Sequence, residues 1–419
     1  MGEWQSVRIE DIAKKIAMGP FGSNIKVETF VPTGVPIISG QHLHGSRLDE
    51  SPSFNFITEE HAERLANSNV FPGDVVFTHA GTIGQVALIP QTALYDRYVL
   101  SQRQFYLRVD ASKADPAFVA RWFHSPIGRH RLLMHASQVG VPSISRPASN
   151  LKAIEIELPS LHEQKAISAI FDVLDDKIDL NRRMNETLEA MARALFKDWF
   201  VDFGPTRAKM EGREPYLAQE IWDLFPDKLD DDGKPEGWEV RPVSEFAELK
   251  GGKQLAKEHI SDAGPVPVFG GAGIMGFTSD YNADGFVISV GRVGAYCGQF
   301  FSHRGKAWIN NNASLIRPKT KVSGEWLFIA LQHIDMDVIK KGAAQPFVSN
   351  GDIAKVGVIW PGDVVINAFS GVLVPLMQKS EANESESRHL AQTRDLLLPK
   401  LMSGEVRVAN ADQGVQEAR

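Results

Sequence analysis

The forty residues Leu161–Phe200 hold no glycine and no proline and are rich in strong helix formers. Apolar side chains recur through them at Ile167, Phe171, Leu174 and Ile178, and again at Leu188, Ala192, Leu195 and Trp199, in alternating steps of three and four. A seam of period near 3.5 marks a helix packed lengthwise on another helix. Asn181 and Asn185 continue that seam midway, and a buried asparagine there fixes register at some cost in stability. A helix of this length reaches ~60 Å and requires a partner.

The partner is Leu376–Ser403. Displacing the chain by 202 positions lays Pro159 on Pro361, Phe171 on Leu373, Leu188 on Leu390, Leu195 on Leu397, Phe196 on Leu398 and Trp199 on Leu401 without a gap. The long helix is therefore one half of an internal duplication, with Leu390, Leu397 and Leu401 as the second half of the seam. A repeat decides architecture before local detail does.

The remainder of the chain repeats as well. Trp238 and Val243 match Trp4 and Ile9 at a shift of 234, and Val266-Pro267-Val268 matches Val35-Pro36-Ile37 at 231. Gly291 and Gly294 match Gly81 and Gly84 at 210, which sets Arg292 opposite Thr82. Ser323 matches Asp115 at 208, and Pro346 and Ser349 match Pro142 and Ser145 at 204. Strands are expected at Val35–Ser39, Gly73–Phe77, Gln85–Ile89, Gln102–Val109 and Ala153–Leu158. Helix starts are expected at Thr58, at Asp115-Pro116 and at Ser323, the last running from Gly324 to Ile339. The expected fold class is α+β: two globular domains related by duplication, separated by two long antiparallel helices that form a coiled-coil spacer. The expected boundaries are a first domain over 1–158, a helix over 159–203, a linker over 204–237, a second domain over 238–360, a second helix over 361–404 and a flexible tail over 405–419. One short helix is expected in the linker, at Ala218–Leu224.

A length of 419 residues allows two or three domains with real cores. The single cysteine, Cys297, excludes an internal disulfide and fits a reducing, cytoplasmic setting. MGEWQSVRIE has no apolar run of the signal-peptide kind. Val356–Met377 is interrupted by Pro361, Asp363, Asn367 and Pro375, so it reads as a strand and a buried helix rather than a membrane span. The net charge of −7 would argue against nucleic acid, but residues 159–203 carry six basic and nine acidic side chains, and residues 204–237 five and nine. The acidity sits in helix and linker, which leaves room for a basic face on either domain.

The motifs that carry chemistry are mostly absent. Gly81–Gly84 and Gly291–Gly294 each join two strands; a phosphate cradle needs a helix straight after the glycines, so a tight turn is the expectation. No G-x-x-x-x-G-K-[ST] occurs, and Lys250-Gly-Gly-Lys253 does not match it. His42 with His44, and His130 with His135, lack partners at metal-ligand spacing. Asp227, Asp232 and Lys234 resemble a nuclease carboxylate–lysine set but stand in a Gly/Pro-rich linker that holds nothing rigid. The Asn-Pro-Pro-aromatic tetrapeptide of adenine methyltransferases is missing. No catalytic residue, metal ligand or bound cofactor is expected.

What remains suits polar recognition. Candidates in the first domain are Ser23, Asn24, Lys26, His79, Thr82, Gln102, Arg103, Gln104, Ser143, Ser145 and Arg146. In the second domain they are Lys253, Arg292, Asn310, Asn311, Asn312, Gln345 and Ser349. Gln102–Gln104 are expected to alternate along a strand, with Asn310–Asn312 in the matching place. Arg, Asn and Gln read base edges bidentately; each such residue taken singly also suits a plain solvated loop.

The layout resembles the specificity subunit of type I restriction-modification systems over nearly the whole chain. The resemblance is carried by Leu158-Pro-Ser-Leu-His-Glu-Gln-Lys-Ala-Ile167, with Pro159, Glu163 and Gln164 as its core, by Asp175–Leu188, by Phe196–Phe203 and by Leu390–Gly404. It implies a non-catalytic subunit whose two target-recognition domains each read half of a split site in double-stranded DNA. It also implies that the helices dock two methylation subunits, which bring S-adenosylmethionine, through Glu163 and Gln164 among others, with restriction subunits further out and no membrane. One departure stands out: the second repeat has Gly362-Asp-Val-Val365 where the first has His162-Glu-Gln-Lys165. A self-contained DNA methyltransferase or nuclease is the second reading, and a coiled-coil adaptor without DNA contact the third. Binding of S-adenosylmethionine would revive the one, and a salt-dependent DNA shift decides the other.

Overall fold

Val35–Ile38 and Asp74–Thr78 are buried along their whole length and Gln104–Val109 nearly so, as short, almost continuous apolar runs must be when both faces are covered. The computed structural model describes residues 4–137, 140–342 and 345–408. It divides into two compact units, one from residues up to Asp179 with those from Glu386 onward, the other Leu180–Ser385.

In the first unit an antiparallel sheet has the order Ala13–Met18, Gln104–Val109, Asp74–Thr78, Val86–Leu88. Val35–Ile38 pairs antiparallel with Asn55–Ile57 and parallel with Tyr98–Leu100. Gln5–Arg8 pairs with Glu155–Leu158, the strand that leads into the first long helix. The second unit repeats this. Its sheet runs Ala247–Gly251, Ala313–Pro318, Phe286–Gly291, Phe300–Arg304. Val266–Gly270 pairs antiparallel with Gly273–Thr278 and parallel with Trp308–Ile309, and Glu239–Pro242 pairs with Gly357–Trp360. The duplication therefore holds at the level of strand order.

Helix caps fall where the sequence puts them. Asp115 accepts a hydrogen bond from the Phe118 amide at 2.9 Å and starts Pro116–His124; Ser323 accepts from Trp326 at 3.2 Å and starts Gly324–Gln332. The latter ends before the expected Ile339, and a short turn, Met336–Val338, follows it. In the first core Phe77 stacks on Phe105 at 5.0 Å and meets the edge of Phe123 at 5.1 Å.

The two long helices are Leu161–Phe200 and Asp363–Met402, forty residues each, and both ends differ by 202. The second begins two residues inside the expected bound at 361, thirteen before the stretch Leu376–Ser403 named as its pairing partner, and runs through Pro375. An interior proline costs a helix about 3 kcal/mol, which the burial of Val365, Ile366, Phe369 and Leu373 on this stretch offsets. With both starts known, the residues opposite Glu163 and Gln164 are Val365 and Ile366, two places on from the alignment expected at Gly362–Val365.

The helices run antiparallel within each unit. In the first, Glu163 binds Arg407 at 2.7 Å, Asp175 binds Arg394 at 3.1 Å and Lys177 binds Glu386 at 3.3 Å, one number rising as the other falls. In the second, the Asn181 amide donates to the Asn383 carbonyl at 3.3 Å, Asn383 to the Asn185 side chain at 2.9 Å, and Asn185 to the Ser380 carbonyl at 3.2 Å. Asn181 and Asn383 are both 1% exposed and lie 202 apart, so a residue of the repeat touches its own counterpart. Of the seam, Ile167, Phe171, Trp199 and Leu401 are buried; Leu174, Leu195 and Leu397 are half-buried against the cores, and Ile178, Leu188 and Leu390 are half-buried. Phe196 and Phe200, off the 3.5-residue seam, are buried too.

The stretch read as linker joins the core of the second unit. It holds helices Gly204–Met210 and Gln219–Trp222, and Trp222, Phe225 and Trp238 are buried. Trp199 meets Phe225 edge-on at 5.1 Å. Asp227 is exposed and Lys234 is tied to Asp230 and Asp232 within a turn. Of the expected tail, Arg407 binds Glu163 and lies over the Trp4 ring at 5.6 Å; residues 409–419 lie outside the described residues. Among the described residues no helix is long and apolar enough to cross a membrane.

Candidate nucleic-acid interface

Loops far apart in the first domain's sequence are joined by backbone hydrogen bonds at one end of its main sheet. The Gly19 amide donates to Gln104 O at 2.8 Å, His79 to Arg103 O at 2.9 Å, Ile144 to His79 O at 2.8 Å, Gly81 to Pro142 O at 2.9 Å and Ser101 to Ile38 O at 2.9 Å. Each has a partner in the second domain. Gly252 donates to Ala313 O at 3.0 Å, Arg292 to Asn312 O at 3.1 Å, Val348 to Arg292 O at 3.0 Å, Gly294 to Pro346 O at 2.9 Å and Asn310 to Phe269 O at 2.9 Å. Gly19 and Gly252 are glycine for one reason: a Cβ would come 2.1 Å from Ser101 O in the first and 1.9 Å from Asn310 O in the second. Both units thus build the same loop face on the same scaffold.

These bonds correct the loop alignment expected above. Arg292 corresponds to His79, not to Thr82, and Gly294 corresponds to Gly81. Gln102, Arg103 and Gln104 correspond to Asn311, Asn312 and Ala313, one place further on. The hairpin loops differ in length, so matching glycines by spacing alone slips the register. Gln102 and Arg103 also do not lie on a strand: they form the turn before Gln104.

In the first domain, Asn24, Lys26, Thr82, Gln102, Arg103, Ser145 and Arg146 are exposed, and His79 and Ser143 are half-buried. The side chain of Ser23 lies outside the described residues. Gln102 fastens the 19–29 loop through Gly22 O and Ile25 O, the latter at 3.4 Å. Asn24 donates to Phe21 O at 2.8 Å. The Arg103 guanidinium lies over Gly81, where a Cβ would come within 3.2 Å of Nη1. Gln104 is 1% exposed, with its amide bound to Thr78 and Ser101. Burial pushes the His79 imidazole below its ordinary pKa and outweighs a hydrogen bond to Gln102 O that favours the charged ring. Ser145 meets His135 O at 3.4 Å. Arg146 is in the left-handed region, φ 43°, a conformation that costs a non-glycine residue about 1–3 kcal/mol.

In the second domain, Lys253, Asn311, Asn312 and Gln345 are exposed and Arg292 is half-buried, with Nε buried and unbonded. Asn310 is 6% exposed and caps the turn, its Oδ1 accepting from the Asn311 amide at 2.7 Å. Ser349 is occupied as a helix cap, with Asp352 at 2.6 Å. Lys26, Arg103, Arg146, Lys253 and Arg292 have no carboxylate partner among the described residues. Each face therefore presents uncompensated positive charge together with exposed amides, which is what phosphates and base edges require.

Glu163 and Gln164 lie elsewhere, at the start of the first long helix. Gln164 is 1% exposed; it donates to Pro159 O at 2.9 Å and accepts from the Asp115 amide at 2.9 Å. Sequence reasoning passed over Phe21 and Phe347, which read by type as core and are 70% and 43% exposed.

A family model described as type I restriction modification DNA specificity domain matches residues 1–190 and 235–363. The chain is 24% identical to the type I restriction enzyme HindI specificity subunit of Haemophilus influenzae, over 97% of this chain and 100% of that protein. It is 26% identical to the MjaIX specificity subunit of Methanocaldococcus jannaschii, over 62% of each. Its fold matches the crystal structure of a type I restriction-modification S subunit from M. genitalium at a TM-score of 0.59, with 18% identity over 95% of this chain and 96% of that one. The duplicated strand order, the paired helices and these matches agree, and the chain belongs to the type I restriction-modification DNA specificity family, a family that specifies sequence rather than catalysing reactions.

Proposed function

We propose that each domain reads one half of a split, asymmetric site in double-stranded DNA, and that the long helices carry the docking sites for two methylation subunits, which bind S-adenosylmethionine. Restriction subunits join that assembly. The chain itself supplies recognition and no chemistry. Glu163 and Gln164 then act on docking through the helix start they organise.

The observation that supports two separate readers is the set of five matched backbone bonds carrying unmatched side chains. The scaffold presents Arg103 where its counterpart presents Asn312, and His79 where its counterpart presents Arg292. Arginine suits guanine and asparagine suits adenine, so two faces of one geometry make different demands. Half-site centres ~34 Å apart, one turn of duplex, suit two readers on one side of DNA.

Methylome sequencing of a host expressing the chain with its methylation subunit tests this. The methylated motif should be interrupted and non-palindromic. Arg292→Ala should relax or abolish one half of it and leave the other unchanged. A continuous or palindromic motif overturns the two-reader proposal; equal loss in both halves would make Arg292 a phosphate contact or a folding residue.

A further inference from the structure

Phe21 and Phe347 are exposed phenylalanines on the two loop faces, beside exposed Val27 and Val141 in the first and Val293 in the second, and neither is loosely held. Phe21 stands between Gly19, whose amide donates to Gln104 O at 2.8 Å, and Gly22, whose carbonyl accepts from Gln102. Its own carbonyl accepts from Asn24 at 2.8 Å. Phe347 stands between Pro346, whose carbonyl accepts from Gly294 at 2.9 Å, and Val348, whose amide donates to Arg292 O at 3.0 Å. Its amide and carbonyl both pair with Lys341, at 2.8 and 2.9 Å. Backbone that is pinned on both sides presents a ring that stays 70% exposed in one case and 43% in the other.

The two do not correspond within the repeat. By the matched bonds, Phe21 falls opposite Gln254, and Phe347 falls opposite Ser143. Each loop face therefore carries one exposed phenylalanine, each drawn from a different loop. The Phe21 loop is tied to Gln102, next in the chain to Arg103, and Phe347 bridges to Val293, next to Arg292; neither arginine has a carboxylate partner among the described residues. An aromatic ring beside arginine and amide groups fits the major-groove edge of an A·T pair, where the thymine C5 methyl is the one apolar group on offer.

We infer that Phe21 and Phe347 each contact a thymine methyl, one per half-site, at positions that differ between the halves because the loops differ. This rests on the proposal that the loop faces bind DNA. The test uses the full chain assembled with its methylation subunits and a duplex carrying the methylated motif, with each thymine replaced in turn by deoxyuridine, which lacks only the methyl. In the wild type, one replacement in each half-site should weaken binding roughly fivefold or more. Phe21→Ala should weaken binding by a similar factor and lose its sensitivity to one of the two replacements, and Phe347→Ala to the other. Phe21→Leu should retain it. Arg103→Ala and Arg292→Ala run alongside. If the arginine variants lose binding while both alanine variants bind and respond to deoxyuridine as the wild type does, the inference is overturned and the DNA face stands. If all four bind as the wild type does, the face itself is wrong.

Discussion

Pro116–His124 and Gly324–Gln332 hold the same place in the repeat, yet they are fastened to equivalent stretches of the long helices by different forces. In the first domain a charge network is added to the apolar contact with Ile167 and Phe171. Arg121, 2% exposed, binds Asp172 at 2.5 Å and Asp175 at 3.4 Å. Arg47 adds Asp172 at 2.6 Å and also binds Asp176, and Arg394 of the second helix binds Asp175 at 3.1 Å. Asp115 accepts from Ser168 at 2.6 Å. In the second domain Arg121, Asp172, Asp175 and Asp176 become Ile329, Val374, Met377 and Gln378. There Phe369 meets Trp199 at 5.3 Å and Phe200 at 4.9 Å, and Phe196 lies 4.5 Å from His333. A polar tie is present as well, Arg304 reaching Glu325 at 2.6 Å and Glu381 at 3.6 Å. Duplication kept the joint and exchanged its chemistry. A buried charge network is no stronger than well-packed apolar groups, but it fails differently.

The sharpest way to break this contrast is to remove one charge. Arg121→Ala leaves Asp172 and Asp175 without their most buried partner and should cost about 3–5 kcal/mol. Hydrogen exchange should show the first domain opening while the second keeps its protection; uniform loss across both would mean that the joints are not independent.

Acid should separate the domains next. Burial works against the Asp172 carboxylate, but Arg121 and Arg47 outweigh it and hold its pKa below the usual carboxylate range. A depressed carboxylate stabilises above its unfolded pKa and loses that contribution as pH falls through the folded one. Burial likewise pushes His124 below its ordinary 6.5, so the stability of the neutral ring is complete above that pH and declines below it. The first domain should therefore weaken from about pH 6 downward and sharply below about pH 4. Hydrogen exchange followed against pH checks this, and equal acid sensitivity of Gly324–Gln332 would count against it.

The smallest difference is a single hydroxyl. Ser168 and Ser370 are the same position in the two repeats. Ser168 has Asp115 as acceptor, whereas the Ser370 hydroxyl is buried with no partner among the described residues; in the place of Asp115 stands the shorter Ser323, whose hydroxyl serves the Trp326 amide and Glu325. Ser168→Ala should cost about 1–2 kcal/mol and Ser370→Ala nothing or slightly less than nothing. Thermal melts of the pair measure the difference.

The joint also marks where sequence was readable. The 202-residue shift located both helix ends, because a packed helix pair tolerates no gap and the seam repeats many times over. That the two domains share one strand order followed from the same repeat, but the order itself did not. The loops were readable in kind but not in register. Arg292 was set against Thr82 and not His79 because two glycines, without the backbone bonds around them, fix nothing. Gln104 and Asn310 carry the side chains of base readers, yet both are buried, which no local pattern signals. The linker looked like loop because its Asp, Gly and Pro are contiguous, whereas the aromatics that pack it, Trp222, Phe225 and Trp238, are scattered.

Between the strand Gln5–Arg8 and its counterpart Glu239–Pro242 the shift is 234; by Glu155–Leu158 and Gly357–Trp360 it is 202, so the second domain is 32 residues shorter. Across the forty residues of either helix it does not change at all. Two descendants of one ancestral half have gained and lost turns, a helix and whole loops in the part that meets DNA under our proposal. In the part where Asn181 faces Asn383 they have kept the same count. A residue inserted into one helix would move every later pair out of step with a partner that had not moved. Length in this protein is free to drift wherever a side chain answers to something outside the chain, and is held fixed where the chain answers to itself.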